Sequence, residues 1–205
     1  DAISNPKSIV APEKVAKYVK MIREENGRML SQVENVLRIS QLERTNETIQ
    51  RLPLDLHEII HDAIHHTHLI FKNKSGKLQT QFKAPNSVVY GNKSHMTNVV
   101  VNLLDNAIKY CEIVPSVKIE TLNEDNNFIL RVIDNGIGMT PSVQKKIFDK
   151  FYRATSGNIH TTKGHGLGLA YVKRIVDLHK GQINLESKEK VGTKFILTLP
   201  IYKLI

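Results

Sequence analysis

Apolar and polar positions along this chain repeat with two periods, and the switches between them mark out its elements. From 11 to 44 the period is helical. Val15, Val19, Ile22, Met29, Val33, Val36 and Leu37 recur at steps of three and four and make one apolar stripe, interrupted at Asn26. Pro12 suits a first helical turn. So long a helix, polar on its other face, is expected to pack in a bundle or coiled coil. Ahead of it, Asp1–Pro12 lacks an initiator methionine and reads as a helix end and a Ser/Asn/Pro loop, as expected for a piece of a longer protein.

Thr45–Arg51 is polar and linker-like, and the pattern changes after it. Leu52–Leu56 fits a short strand and Leu56–Lys72 a helix. Gln79–Lys83 and Val88–Tyr90 read as strands, bracketed by turns at Asn73–Gly76 and Pro85–Ser87. Lys93–Tyr110 is helical, with Met96, Val99, Val100, Leu103, Leu104 and Ala107 on its apolar side. Val117–Leu122 and Phe128–Asp134 alternate with period two around Asn123–Asn127, a hairpin signal. Asp134–Gly168 is irregular apart from a helical patch at Ser142–Phe148, and so long an irregular stretch reads as a functional lid or a mobile segment. Leu169–His179 is a helix closed by Lys180–Gly181, and Ile183–Ser187 and Thr193–Pro200 are a last strand pair. The sum is an α+β arrangement of two layers with mostly antiparallel strands, in two regions, 1–46 and 47–205.

Composition narrows the class. The chain has 205 residues, 40% hydrophobic and 24% charged, an ordinary globular balance that excludes a disordered tail or a collagen-like repeat. No run approaches the ~20 apolar residues of a membrane helix. Cys111 is the single cysteine, so an internal disulfide and a cysteine zinc cage are excluded. The net charge of +9 predicts an anionic partner: nucleic acid, an acidic membrane surface or a phosphate-bearing small molecule.

Three segments carry candidate chemistry. Asn98, Asn102 and Asn106 lie i, i+4, i+8 on one helix face, flanked by Asp105 and Lys109. Asparagine is a mediocre helix former, so three in register need a use. An amide oxygen suits Mg²⁺ and the lysine suits a phosphate; a plain polar face with an exposed Asp105–Lys109 pair is the alternative. Ile133-Asp134-Asn135-Gly136-Ile137-Gly138-Met139 runs an apolar strand into an acid and two glycines. These allow close backbone approach to a ligand and give an acceptor for an exocyclic amine, or else only a turn. It fails as a dinucleotide fingerprint, since Thr140-Pro141 follows where a third glycine and a helix are needed. Gly164-His165-Gly166-Leu167-Gly168-Leu169 leads into a helix, an anion site for phosphate or a hinge. Between them, Phe148 and Phe151 read as core and Arg153 as a contact for phosphate or a partner. His57, His61, His65 and His68 recur at near-helical spacing, but without supporting cysteines or carboxylates an exposed helix face is expected rather than a metal site.

In this order the segments resemble the sequence boxes of sensor histidine kinases. Asn102–Tyr110 is similar to the N box, Asp134–Met139 to G1, Phe148–Arg153 to F, Gly164–Leu169 to G2, and Gly192-Thr193-Lys194-Phe195 to the closing motif. The resemblance covers Leu52 to Pro200, the catalytic ATP-binding domain. It implies the Bergerat α/β sandwich shared with gyrase, Hsp90 and MutL. Pro12–Arg44 resembles the second helix of the dimerisation and phosphotransfer hairpin.

By that resemblance, Asn106 is the Mg²⁺ ligand, with Asn102 supporting the metal or phosphate shell. Lys109 and Tyr110 face phosphate and ribose. Asp134 accepts from the adenine amino group beside Gly136, Gly138 and Met139, and Thr193 reaches adenine. Gly164, His165, Gly166, Leu167, Gly168 and Leu169 shape the lid, with Phe148 and Arg153 in the F box. The family's phospho-accepting histidine belongs to a helix expected ahead of Asp1. His57-Glu58 lacks the box proline and lies after the second hairpin helix, so it does not substitute.

The activity implied is transfer of the ATP γ-phosphate to that histidine, with a response regulator receiver domain as the next acceptor. Asn102 stands where related ATPases carry a water-activating Glu, which argues against the alternative of a simple ATPase. A non-catalytic nucleotide sensor is opposed by Asn106, Asp134 and the glycines, and a nucleic-acid binder by the lack of aromatic and basic interleaving. The expected parent is a homodimeric inner-membrane sensor with this part on the cytoplasmic side. The piece itself is expected to bind ATP without phosphorylating itself. Lys109, Arg153 and Lys163 then give part of the +9 charge a partner, the triphosphate.

Overall fold

Strand alternation in the second half of the chain reads directly as a sheet with one covered face. The computed structural model describes residues 13–23, 25–27, 29–30, 50–153 and 166–203. The chain divides into two compact units, Asp1–Asn46 and Glu47–Ile205. In the first, residues 13–23, 25–27 and 29–30 are helical (α1). Val15, Val19, Met21, Ile22, Met29 and Leu30 are exposed on it. Val33, Val36 and Leu37 of the apolar stripe lie outside the described residues, as do Gly164 and His165 of the glycine segment.

The second unit runs β1 (Leu52–Asp55), α2 (Leu56–Asn73), β2 (Lys77–Phe82), β3 (Val88–Gly91), α3 (Lys93–Lys109), β4 (Ser116–Glu124), β5 (Asn127–Asp134), α4 (Pro141–Gln144), α5 (Gly168–Leu178), β6 (Gln182–Lys188) and β7 (Gly192–Pro200). Five strands form the main sheet in the order β2-β4-β5-β7-β6, and β1 pairs with β3 in a small separate sheet. Helices α2, α3 and α5 form the second layer: α3 packs between α2 and α5 and touches β5, while α2 meets β2 and α5 meets β6.

Register aligns the covered face into rows. Thr121, Leu130, Leu197 and Ile183 make one row, and Ile119, Val132, Phe195 and Leu185 the next. Nearly all of these are buried, as alternation against a helix layer requires. From the helix side come Met96, Val99, Val100, Leu103, Leu104, Ala107 and Ile108 of α3. Leu103 is fully buried, so its truncation to Ala costs about 2–5 kcal/mol. Outward positions carry Lys118–Glu120, Arg131–Glu124 and Lys194–Glu186 ion pairs, which suit a solvated face.

The two-layer α+β expectation holds, with local differences. β2 pairs with β4 in parallel, whereas the other pairings among the described residues are antiparallel. It also starts at Lys77, two residues earlier than alternation predicts, because the Lys77 amide bonds Pro115 O at 2.7 Å just after Gly76 closes onto Phe71 O at 2.8 Å. The helical patch expected at Ser142–Phe148 is a single turn, Pro141–Gln144, capped by the Thr140 hydroxyl and followed by turns. His57 departs from the expected exposed histidine face. It is half-buried, stacked on Phe82 at 4.5 Å and bonded to Thr121 Oγ1 at 2.9 Å, since it points back over the sheet while His61, His65 and His68 remain exposed.

Candidate nucleotide site

The next row of the covered face is polar. Val117 aligns with Asp134, Asp134 with Thr193, and Thr193 with Ser187. The hydrophobic rows therefore end in a carboxylate and two hydroxyls at one edge of the core. A cavity of about 580 Å³ opens there, lined among others by Asn106, Tyr110, Asp134, Gly138, Arg153 and Thr193.

Asp134 is fixed by backbone. Its Oδ1 accepts from the Gly136 amide at 2.8 Å and the Thr193 amide at 3.1 Å. Among the described residues no hydrogen bond goes to Oδ2. Burial raises the carboxyl above its ordinary 3.8, and the two amides oppose that rise. An ionised, half-desolvated oxygen with spare lone pairs is a strong acceptor for an amine.

The segment 135–140 is pinned on both sides. Ile137 N donates to Tyr110 O at 2.9 Å, and Ile137 O accepts from Lys190 N at 2.7 Å. Gly138 adopts φ +66°, and a Cβ there would collide with Lys188 O, so only glycine lets the segment lie against the β6–β7 turn. Ser187 Oγ donates to Gly192 O at 3.0 Å and lies 2.9 Å from Thr193 Oγ1.

Cationic side chains also stand at or beside the cavity, with Arg153 in its lining. α3 brings Asn102, Asn106 and Lys109 on its last turns, and the Asn106 carbonyl accepts from Tyr110 N at 2.9 Å. Lys109 Nζ sits 5.0 Å over the Tyr110 ring. Burial lowers the Lys109 ammonium below its ordinary 10.5, and repulsion from Arg153 lowers it further, against the pull of Asp105. Burial raises the Tyr110 phenol, opposed by Arg153. Two cations held close enough to repel favour an anion between or beside them.

Of the residues singled out in the sequence, Asn106, Tyr110, Asp134, Gly138, Met139, Arg153, Leu169 and Thr193 line the cavity. The rest stand behind it. Gly136 is buried under Asp134 and supplies an amide to it. Asn102 donates to Asn98 O at 2.7 Å and lies against Gly168, where a Cβ would come 2.7 Å from Asn102 Oδ1. Leu167 is buried at the start of α5, and Gly166 O accepts from Phe151 N at 3.0 Å. Lys109 and Phe148 are half-buried outside the lining.

The structure adds lining residues that no motif marked, among them Glu112, Val143, Ile147, Glu189 and Lys190. Tyr152 of the F box and Phe195 of the closing motif also line it.

Residues 91–203 match the family described as histidine kinase-, DNA gyrase B-, and HSP90-like ATPase. The chain is 40% identical over 195 residues to the sensor protein RprX of Bacteroides fragilis (strain YCH46), covering 94% of this chain and 38% of that protein. It thus spans well under half the length of that relative. The solved structure of full-length ShkA in complex with AMPPNP superimposes with a TM-score of 0.80 at 22% identity, over 97% of this chain and 41% of that one. Histidine kinase ThkA in complex with the response regulator protein TrrA superimposes with a TM-score of 0.75 at 22% identity, over 96% of this chain and 54% of that one. With a cavity that pairs a backbone-held carboxylate with an asparagine-bearing helix, the chain belongs to the histidine kinase-, DNA gyrase B- and HSP90-like ATPase family.

Proposed function

We propose that the unit Glu47–Ile205 binds ATP with Mg²⁺ and, in the whole protein, directs the γ-phosphate to a histidine on a helix outside this chain. The observation that carries this reading is Asp134: one carboxylate oxygen held by two amides, with the other left for an amine donor at the wall of the cavity. Adenine is the nucleobase whose exocyclic amine suits it. Thr193, Gly138 and Met139 complete the base wall, and Tyr110 continues it toward the ribose.

At the other end Lys109 and Arg153 neutralise phosphate oxygens, and the amides at Gly166–Gly168 open α5 toward them. Asn106 fits a hard cation: its side chain lines the cavity, and none of the described residues forms a hydrogen bond with it. Asn106 would hold Mg²⁺ through its amide oxygen, with Asn102 behind it. The ion supplies charge neutralisation for the triphosphate. Asn102 offers no carboxylate to activate water, so the site favours transfer to an imidazole, whose lone pair needs no base.

The first unit, Asp1–Asn46, is proposed as the second helix of a dimerisation and phosphotransfer hairpin, supported by the exposed apolar residues of α1. A homodimeric, membrane-anchored parent and a response regulator receiver domain as the next acceptor follow from the same reading. TrrA in the ThkA complex is the kind of partner meant. Without the acceptor helix the chain does not phosphorylate itself.

Titration with a non-hydrolysable ATP analogue, with and without Mg²⁺, tests the site. Asp134→Ala should lose affinity under both conditions, and Asn106→Ala should lose only the gain that Mg²⁺ gives. Unchanged affinity in Asp134→Ala removes the adenine assignment. Phosphohistidine should form only when a polypeptide supplying the missing helix is added with ATP.

A further inference from the structure

Gln144 ends the single turn of α4 and does not line the cavity, yet it joins two of the cavity's walls. Its Nε2 lies 2.9 Å from Met139 O and 2.9 Å from Ser187 O. A primary amide carries two N–H groups, so each carbonyl receives one, and the flipped amide would set oxygen against two oxygens. Met139 belongs to the segment that lines the base end. Ser187 ends the polar row and couples through its hydroxyl to Thr193, whose amide holds Asp134. The neighbours Ser142 and Val143 face the cavity themselves.

Resting on the ATP reading above, we propose that Gln144 is a positioning residue that sets base selectivity. It acts through Met139 on one wall and through Ser187, Thr193 and Asp134 on the other. A second tie between the same walls, Lys190 N to Ile137 O at 2.7 Å, stands without it. Loss of Gln144 therefore leaves the segment folded but frees its Met139 end relative to Asp134. The consequence falls on recognition of the base, since the phosphate end shares none of these bonds.

The test titrates the chain with ATP, GTP and inorganic tripolyphosphate, and repeats this for Gln144→Met. Two lost hydrogen bonds should weaken ATP about tenfold and leave GTP and tripolyphosphate within about twofold, so that the ATP-to-GTP preference falls about tenfold. Gln144→Asn, too short to reach both carbonyls, should shift the preference in the same direction. It serves as the decisive variant if Gln144→Met does not fold. An equal loss for all three ligands overturns the proposal, because it marks general damage. An unchanged ATP-to-GTP ratio overturns it as well. Failure of the unaltered chain to prefer ATP over GTP is a different result, which removes the adenine reading itself.

Discussion

The two ends of the cavity are built from different materials. The end proposed for the base is backbone: the amides of Gly136 and Thr193 on Asp134, Ile137 held between Tyr110 and Lys190, and Gly138 against the β6–β7 turn. The end proposed for the phosphates is side chain: Lys109 over Tyr110, with Arg153 and Asn106 in the lining. Main-chain bonds within a sheet and its turns lose little freedom on binding, so the base end is set before a ligand arrives. Cationic side chains act on a ligand through charge, which salt screens. On the proposed reading, the base end gives selectivity and the phosphate end gives charge.

The largest expected effect breaks the base end. Gly138→Ala forces a Cβ into Lys188 O at φ +66°. It should cost roughly 2–4 kcal/mol of stability in urea denaturation and abolish measurable ATP binding. Full affinity in this variant would show that the segment is not rigid. Next, Asp134→Ala should weaken ATP by about 10–100-fold, the range for a charge-assisted hydrogen bond, with little dependence on salt. Lys109→Met should act at the other end, by roughly fivefold at low ionic strength and less at high salt. A salt-dependent Asp134→Ala, or a salt-independent Lys109→Met, would erase the distinction.

The smallest effect is one of pH. The Lys109 pKa is lowered from 10.5, so its charge is lost at a lower pH than that of an ordinary lysine. Affinity for ATP should fall as pH rises toward that lowered value, and Lys109→Arg should flatten the profile. Stability should move oppositely. The native state releases the Lys109 proton before the unfolded chain does, so between the lowered value and 10.5 stability rises with pH. Asp134 has the reverse sign. Its raised native pKa means that its contribution to stability falls as pH rises from 3.8 through the raised value.

Much of this was legible in one sequence, for physical reasons. A helix repeats over three to four residues, so the apolar side of α3 and the asparagine side opposite it could be read together. A strand alternates, so the inward parity of β4, β5 and β7 was plain. Parity does not give partners. The parallel β2–β4 pairing and the alignment of Asp134 with Thr193 and Ser187 depend on register, which a single strand does not encode. Asp134 was identified as an acceptor, but the amide that holds it comes from 59 residues away. Glu112 and Lys190 reach the site from turns, where no period exists to mark them. His57 went unread as a packing residue because its partner, Phe82, lies on a strand whose placement was unknown.

The grip on Asp134 by main-chain amides bears on inhibition and resistance. A molecule that donates a hydrogen bond to the carboxylate meets a group held directly by main-chain amides. Exchange of Thr193 for Ser keeps both the amide and a hydroxyl for Ser187, and therefore keeps the acceptor in place. Escape at this wall has to alter Asp134 itself, which sacrifices the proposed ligand, or reshape the strand register, which sacrifices the core. A compound anchored there faces few substitutions that spare the protein and defeat the drug. One anchored on Lys109 or Arg153 has no such protection.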